Sequence, residues 1–342
     1  MVRHSESTGL AAGSGGVAQR VLIQIPCFNE EAQLGPTVAA IRAALGPALG
    51  WSGDPARPVV WDLLVVDDGS SDATLAVAGA LGVQHLLAHG VNRGLAAAFQ
   101  SGLSEGLRLG ADVIVNTDAD NQYDARDLPR LVQPILAHEA DIVIGARPIG
   151  SHEEFSWTKK VFQRVGSAVV RAASRTAVLD APSGFRAFSR HAAARINIYD
   201  AYTYTLESII QAGLNGLRVV SVPIRVNAST RPSRLVRNNV DYIRRSLRTI
   251  LRTLLVYRAD KLTLLPSLGL ITVSLLLAVR WLLLWWHNSP QSHVPSLVVA
   301  ATLFLTGLQL LSLSYLSVLS GINRRLGEQL LALQRDQAGP GR

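Results

Sequence analysis

Val113-Ile114-Val115-Asn116-Thr117-Asp118-Ala119-Asp120-Asn121-Gln122 runs from a short, mostly apolar stretch into a polar cluster with two carboxylates two residues apart. A short apolar run stopped by turn-forming residues reads as a buried strand. Residues two apart at a strand end project to one side, so Asp118 and Asp120 can share a cation. Hard carboxylate oxygens suit Mg2+ or Mn2+, ions that keep several waters and recruit diphosphate oxygens. An Asp-x-Asp alone arises often in loops; this one takes its weight from following Val113–Asn116 directly.

Outward from this segment the pattern repeats. Val21–Ile25 ends at Pro26, Trp61–Val66 is stopped by Asp67-Asp68-Gly69-Ser70, and Gln84–Leu87 and Asp141–Gly145 are further short apolar runs. Helical periodicity fills the intervals: Glu30–Leu45, Ala73–Leu81, the stretch from Asn92-Arg93-Gly94 to about Leu109, and Leu128–Ala137. Gly46–Pro58, rich in Gly and Pro, reads as a loop. Buried-type strands alternating with helices predict an α/β fold, a mostly parallel sheet with helices on both faces. Ligands of such sheets sit beyond the C-terminal strand ends. The polar clusters Pro26–Glu30, Asp67–Ser70 and Asp118–Gln122 all fall there, on one edge. At the second cluster an Asp can accept hydrogen bonds from a base or ribose, Gly69 allows a tight turn, and Ser71 or Asp72 can cap the next helix. Arg147, just past Asp141–Gly145, is placed to meet a phosphate or else to lie on the surface.

The last third of the chain has another character. The net charge of +8 over 342 residues gathers partly in Arg231–Lys261, where apolar residues recur at helical spacing between arginines. That pattern predicts basic amphipathic helices over 231–261 at a membrane surface. A nucleic-acid surface would more often interleave exposed aromatics with the charge, and 231–261 shows no such repeating pattern, so nucleic acid is not an expected partner. Leu262–Trp286 and Val294–Gly321 are each longer than the ~20 apolar residues that cross a bilayer. Arg258 and Lys261 precede the pair, Arg324 and Arg325 follow it, and the connecting His287–Pro295 carries no Lys or Arg. The positive-inside rule then puts both termini and the residues before the spans in the cytoplasm. Arg280 lies near the outer end, beside Trp281, Trp285 and Trp286. Met1–Arg20 lacks the apolar core of a signal peptide and reads as a disordered lead, and 322–342 as a cytoplasmic tail. The single Cys27 excludes an intramolecular disulfide framework and a multi-cysteine zinc site.

In order along the chain, Pro26-Cys27-Phe28-Asn29-Glu30-Glu31, Val65-Val66-Asp67-Asp68-Gly69-Ser70, Asn92-Arg93-Gly94 and Thr117-Asp118-Ala119-Asp120-Asn121-Gln122 resemble the blocks of family 2 glycosyltransferases of the GT-A fold. The similarity covers roughly Val21 to Val226, and implies a Rossmann-like GT-A domain over 21–230. Gly145-Ala146-Arg147, Ser183-Gly184-Phe185-Arg186, Glu207, Val222-Pro223-Ile224 and the apolar hairpin resemble polyprenyl-phosphate hexosyltransferases of the dolichol-phosphate mannose synthase type. That resemblance implies a nucleotide-sugar site at Pro26, Phe28, Glu30, Val65, Asp67, Asp118, Ala119 and Asp120, and a metal site at Asp118, Asp120 and Gln122. It makes Asp118, Asp120 and Arg147 the catalytic set, with Arg147 toward donor or acceptor phosphate. Two departures stand out: a Tyr common in mannose synthases is Phe28, and a later basic segment is compressed to Arg231-Pro232-Ser233-Arg234, from which Arg231 and Arg234 are carried over to the donor. Lys160, Arg164 and Ser167 are the candidates for the acceptor phosphate.

The reaction so implied is inverting, Mg2+- or Mn2+-dependent transfer of a hexose from a GDP- or UDP-linked donor to polyprenyl phosphate at the cytoplasmic membrane face. An acceptor already ionised near neutral pH needs no strong base. Two rival readings are transfer to a hydroxyl of a glycolipid or polysaccharide with Glu207 as base, and a non-catalytic nucleotide-sugar-binding scaffold. Small residues in the spans leave room for a homo-oligomer.

Overall fold

The computed structural model describes residues 3–4, 18–46, 58–148, 170–171, 174, 176–198, 204–227, 239–287 and 294–337. The strands are β1 (Arg3–His4), β2 (Gln19–Cys27), β3 (Val59–Asp67), β4 (His85–Ala88), β5 (Val113–Asn116), β6 (Ile142–Ala146), β7 (Arg186–Ser189) and β8 (Val219–Pro223). They form one sheet in the order β1-β4-β3-β2-β5-β7-β6-β8. The run β4-β3-β2-β5 is parallel, β7 is inserted antiparallel between β5 and β6, and β6 and β8 are parallel. The central strands are the most apolar because both their faces are covered: Val21–Cys27 and Val113–Asn116 are buried without interruption.

The helices are α1 (Glu31–Leu45), α2 (Thr74–Ala80), α3 (Leu95–Arg108), α4 (Leu128–Leu136), α5 (Arg190–Arg195) and α6 (Tyr204–Leu214). Leu34, Val38, Ile41 and Leu45 form the buried stripe of α1 and join the same core as Val21, Ile23, Ile25, Val65 and Val115. On α3 small residues let the helix approach the sheet: a Cβ on Gly106 would lie 2.5 Å from Ile114 Cδ1.

The strands and helices expected before residue 147 are all present, with ends moved by a residue or two. The sheet is mostly parallel, as expected, with antiparallel pairings at β1 and β7. The inserted strand β7 runs against both its neighbours, and its first residue is a buried arginine that no apolar pattern reveals. Arg3–His4 pairs antiparallel with His85 and Leu86, and β2 starts at Gln19.

Two long helices close the chain, α7 (Asn239–Trp286) and α8 (Val294–Gln337). They contain two candidate membrane spans, Thr263–Trp286 of 24 residues and Val294–Asn323 of 30 residues. Within this pair the buried positions are small. Ser267 and Ser274 on one helix meet Ala300 and Gly307 on the other: Ser274 Oγ donates to Ala300 O at 2.7 Å, and a Cβ on Gly307 would stand 2.7 Å from Ile271 Cγ1. Small side chains spaced by seven let two helix backbones approach closely, as apolar spans require when lipid is no worse a neighbour than leucine. Leu265, Leu276, Trp285 and Trp286 point outward and stay exposed.

Candidate functional site

Because β2, β3, β4, β5 and β6 all end on one edge and the antiparallel β7 begins there, residues distant in sequence meet beyond that edge. Asp118 and Asp120 leave the end of β5. The left-handed backbone of Asn121 (φ 57°) turns the loop, and Asp120 Oδ1 accepts from the Gln122 N–H at 3.1 Å. Thr37 of α1 anchors the loop from below, its hydroxyl donating to Ala119 O at 2.7 Å. Burial, and then the charge of Asp120, push the Asp118 carboxyl up to about 7, against the pull of Arg147, the Tyr123 hydroxyl and Arg186. A divalent cation beside Asp118 would offset both its burial and the neighbouring charge. Among the described residues no group of three or more His, Cys, Asp or Glu side chains could hold a metal ion. An ion at Asp118 and Asp120 would therefore complete its shell with other oxygens, such as those of a diphosphate.

Arg147 follows β6 and is held by Asp180. Nε donates to Asp180 Oδ2 at 2.7 Å, Nη2 to Oδ1 at 3.0 Å, and the Arg147 N–H to Oδ2 at 3.2 Å. The Asp180 side chain has 0% exposure and that of Arg147 23%, so the fork is gripped from behind and keeps an open side. Burial alone would lower the guanidinium's affinity for its proton; the bonds to Asp180 outweigh it, and Arg147 stays charged.

Behind the carboxylate pair lies a buried polar lattice. Gln24 Nε2 donates to Asn116 Oδ1 at 2.9 Å, and Asn116 Nδ2 donates to Gly184 O and to Tyr204 Oη, each at 2.9 Å. The Gly184 N–H donates to Tyr123 Oη at 3.0 Å, and the Tyr123 hydroxyl donates to Asp118. Burial and the Asp118 charge raise the Tyr123 phenol, which keeps that proton in place. Gly184 lies so close that a Cβ would stand 2.9 Å from Asp118 Oδ2.

At the ends of β2 and β3 two loops are laced together. The Asn29 N–H donates to Ser70 Oγ, Glu30 N–H to Thr74 Oγ1, and Ser71 N–H to Asn29 Oδ1, at 2.9, 2.8 and 2.8 Å. Asp67 is buried and accepts from the Ser70 N–H at 3.2 Å. Its neighbour Asp68 faces the other way and is fully engaged: it accepts from the backbones of Arg93 and Gly94 at 2.9 and 2.7 Å and bonds His89 Nδ1 at 2.8 Å. Asp68 thus fastens the Asn92-Arg93-Gly94 block against Gly69. Gly69 has φ +72°, and a Cβ there would reach within 2.6 Å of Asn92 N. Gly69→Ala combines a left-handed backbone with a clash against main chain; a loss of about 2–4 kcal/mol is expected, read as a lower denaturation midpoint. A midpoint within a few tenths of a molar of the parent's would contradict this packing.

Of the other residues singled out, Phe28 is 43% exposed at this edge and Glu30 and Gln122 are partly buried. Pro26 and Ala119 are buried in the loop bases. Val65 has no exposed surface and belongs to the hydrophobic core, so it supports the Asp67 loop and offers no side-chain surface to a ligand. Glu207 is buried on α6, where Gln211 Nε2 donates to it at 3.3 Å. Lys160, Arg164, Ser167, Arg231 and Arg234 lie outside the described residues. The sequence reading missed Asp180, Tyr123, Asn116 and Tyr204. Ser183-Gly184-Phe185-Arg186 pointed to the right segment without revealing that Asp180, before it, holds Arg147.

A family model described as Glycosyl transferase family 2 matches residues 22–196. The chain is 31% identical over 217 residues to the polyprenol monophosphomannose synthase of Mycolicibacterium smegmatis, covering 60% of this chain and 77% of that protein. It is 30% identical over 216 residues to the undecaprenyl-phosphate mannosyltransferase of Micrococcus luteus, covering 60% and 82%. Glucosyl-3-phosphoglycerate synthase from Mycobacterium tuberculosis, solved with Mn2+, uridine diphosphate and phosphoglyceric acid, shares the fold at a TM-score of 0.51 and 21% identity, covering 69% of this chain and 78% of that one.

Proposed function

The chain belongs to glycosyl transferase family 2, and from that premise we propose that it moves a hexose from a GDP- or UDP-linked donor to the phosphate of a polyprenol, with inversion, at the cytoplasmic face of a membrane. The observation that carries the reading is the convergence of Asp118, Asp120 and the gripped Arg147 on one sheet edge, in a chain that also has two candidate membrane spans. The names of its relatives support the acceptor class: both transfer to, or build, a polyprenol monophosphate sugar.

Asp67 and the loop around Phe28 and Glu30 receive the nucleoside, with Arg231 and Arg234 on the donor phosphates. Asp118 and Asp120, with Gln122, hold Mg2+ or Mn2+. The bound ion would supply charge neutralisation to the departing diphosphate. Arg147 orients an acceptor phosphate oxygen toward the anomeric carbon, with Lys160, Arg164 and Ser167 as further acceptor contacts. The acceptor arrives ionised, so positioning and charge balance suffice and no protein group has to remove a proton. The basic segment 231–261 and the hairpin keep the acceptor lipid at hand.

Purified full-length protein in detergent, given each of a panel of radiolabelled GDP- and UDP-hexoses with undecaprenyl phosphate, tests the proposal. One donor is expected to yield label in the organic phase, and chelation by EDTA to reduce the rate by about 100-fold or more, with Mn2+ or Mg2+ restoring it. No labelled lipid with any donor, or undiminished transfer in EDTA, would sink the acceptor or the metal assignment respectively.

A further inference from the structure

Among the described residues Arg186 is the largest side chain with 0% exposure. No Asp or Glu among them lies within ion-pairing distance of it. Its partners are neutral: Nε donates to Ser183 O at 2.7 Å, Nη2 to Ala181 O at 2.5 Å, and Nη1 to Thr205 O and Ser208 Oγ, both at 2.7 Å. The guanidinium carbon stands 5.8 Å from the centre of the Tyr204 ring. Burial draws its proton affinity down to about 10, so it is charged at neutral pH.

The charges of Asp180 and Asp118 favour the cation only from beyond bonding distance. Sinking this guanidinium without a bonded carboxylate is therefore costly, and an apolar side chain would fill the space at less cost. What arginine alone provides is a planar fork whose five N–H groups reach acceptors in different directions at once. Here those acceptors belong to two segments, the turn 181–183 and the first turn of α6. The turn is flanked by the two residues that govern the reacting groups. On one side Asp180 grips Arg147; on the other Gly184 abuts Asp118 and bonds Tyr123 and Asn116. Moving the turn would displace Arg147 and the backing of Asp118 together.

We infer that Arg186 is a positioning residue for sugar transfer: it fixes the 181–184 turn so that Arg147 and Asp118 keep their mutual placement, without itself touching substrate. The inference rests on the glycosyl-transfer reading of this site. A lysine keeps the charge but concentrates its donors on one atom that cannot reach both segments. Arg186→Lys is therefore expected to lower kcat by about 100-fold, as a displacement near 1 Å does, while leaving KM for the nucleotide-sugar within about threefold of the parent. Thermal stabilisation by added nucleotide and Mn2+ should persist, a readout that does not depend on turnover. Ser208→Ala removes one acceptor and should lower kcat by about three- to tenfold at unchanged KM.

Parental kcat in Arg186→Lys overturns the inference. So does loss of nucleotide binding in step with kcat, which marks a purely structural role. If Arg186→Lys does not fold, Ser208→Ala decides: reduced kcat at parental KM supports the role, and parental kcat refutes it. A parent that transfers no sugar refutes the glycosyl-transfer reading and this role together, whereas an active parent matched by Arg186→Lys refutes this role alone.

Discussion

Asp118→Asn is expected to remove sugar transfer and, at the same time, to leave the metal-free protein at least as stable as its parent. The two effects have one origin. Asp118 is pressed among protein groups next to a second carboxylate, and its ionised form is disfavoured by burial first and by Asp120 second. An amide of the same shape still accepts the Tyr123 hydroxyl but carries no charge to desolvate and none to repel Asp120. Relieving that conflict should raise the melting temperature in EDTA by about 2–4 °C, the effect of ~1 kcal/mol in a domain of this size. The same change takes one anionic ligand from the cation, and kcat should fall on the order of 10³-fold. Melting curves with and without Mn2+ plus nucleotide make the contrast visible: the parent gains stability from the mixture and the variant gains little. A variant that melts below the parent in EDTA, or that retains a tenth of the parental rate, would show that Asp118 is a scaffold residue and not a ligand. Function sites commonly hold groups whose neutralisation would stabilise the fold.

The sheet up to β6 could be read from the chain because its physics is local. Val113–Asn116 is a buried run with a sharp polar stop, and the strand has those bounds. Trp61–Val66 and Val21–Ile25 sit inside β3 and β2 for the same reason, and three polar stops on parallel strands place the site edge. β7 was not legible, since it opens with a charged residue whose donors are satisfied by the turn just before it and by the start of α6. The support of the site was hidden for a related reason. Gln24, Asn116 and Tyr204 form one lattice from three separate segments, and nothing in the neighbourhood of any of them announces the others. Asp67 and Asp68 illustrate the limit most plainly. Adjacent and chemically identical, they face opposite ways, one onto the Ser70 backbone and one onto the backbone of Arg93 and Gly94. Spacing could locate the pair; only the loop that packs against it assigns the roles.

Arg147→Ala is expected to cost the enzyme both rate and stability, and a second substitution should separate the losses. The Asp180 side chain is wholly buried and makes two bonds to the Arg147 guanidinium and one to its backbone N–H. Truncating the arginine takes two charge-assisted bonds from that buried carboxylate, and a loss of about 2–4 kcal/mol is expected, moderated because Arg147 keeps an open side. Arg147→Ala/Asp180→Asn removes the buried carboxylate charge as well, so it should recover part of the stability. Activity should not follow: both variants lack the cation proposed to meet the acceptor phosphate, and both should be slower by about 10²–10³-fold. Arg147→Lys provides the third point, keeping the charge but not the bidentate grip, and should fall between parent and alanine in rate. Chemical denaturation and kcat measured on the same preparations give the test. If the double variant regains rate along with stability, Arg147 serves only to neutralise Asp180. If stability returns while rate stays low, the pair has divided its labour: Asp180 fixes the guanidinium from the buried side, and the open face of Arg147 is left for phosphate.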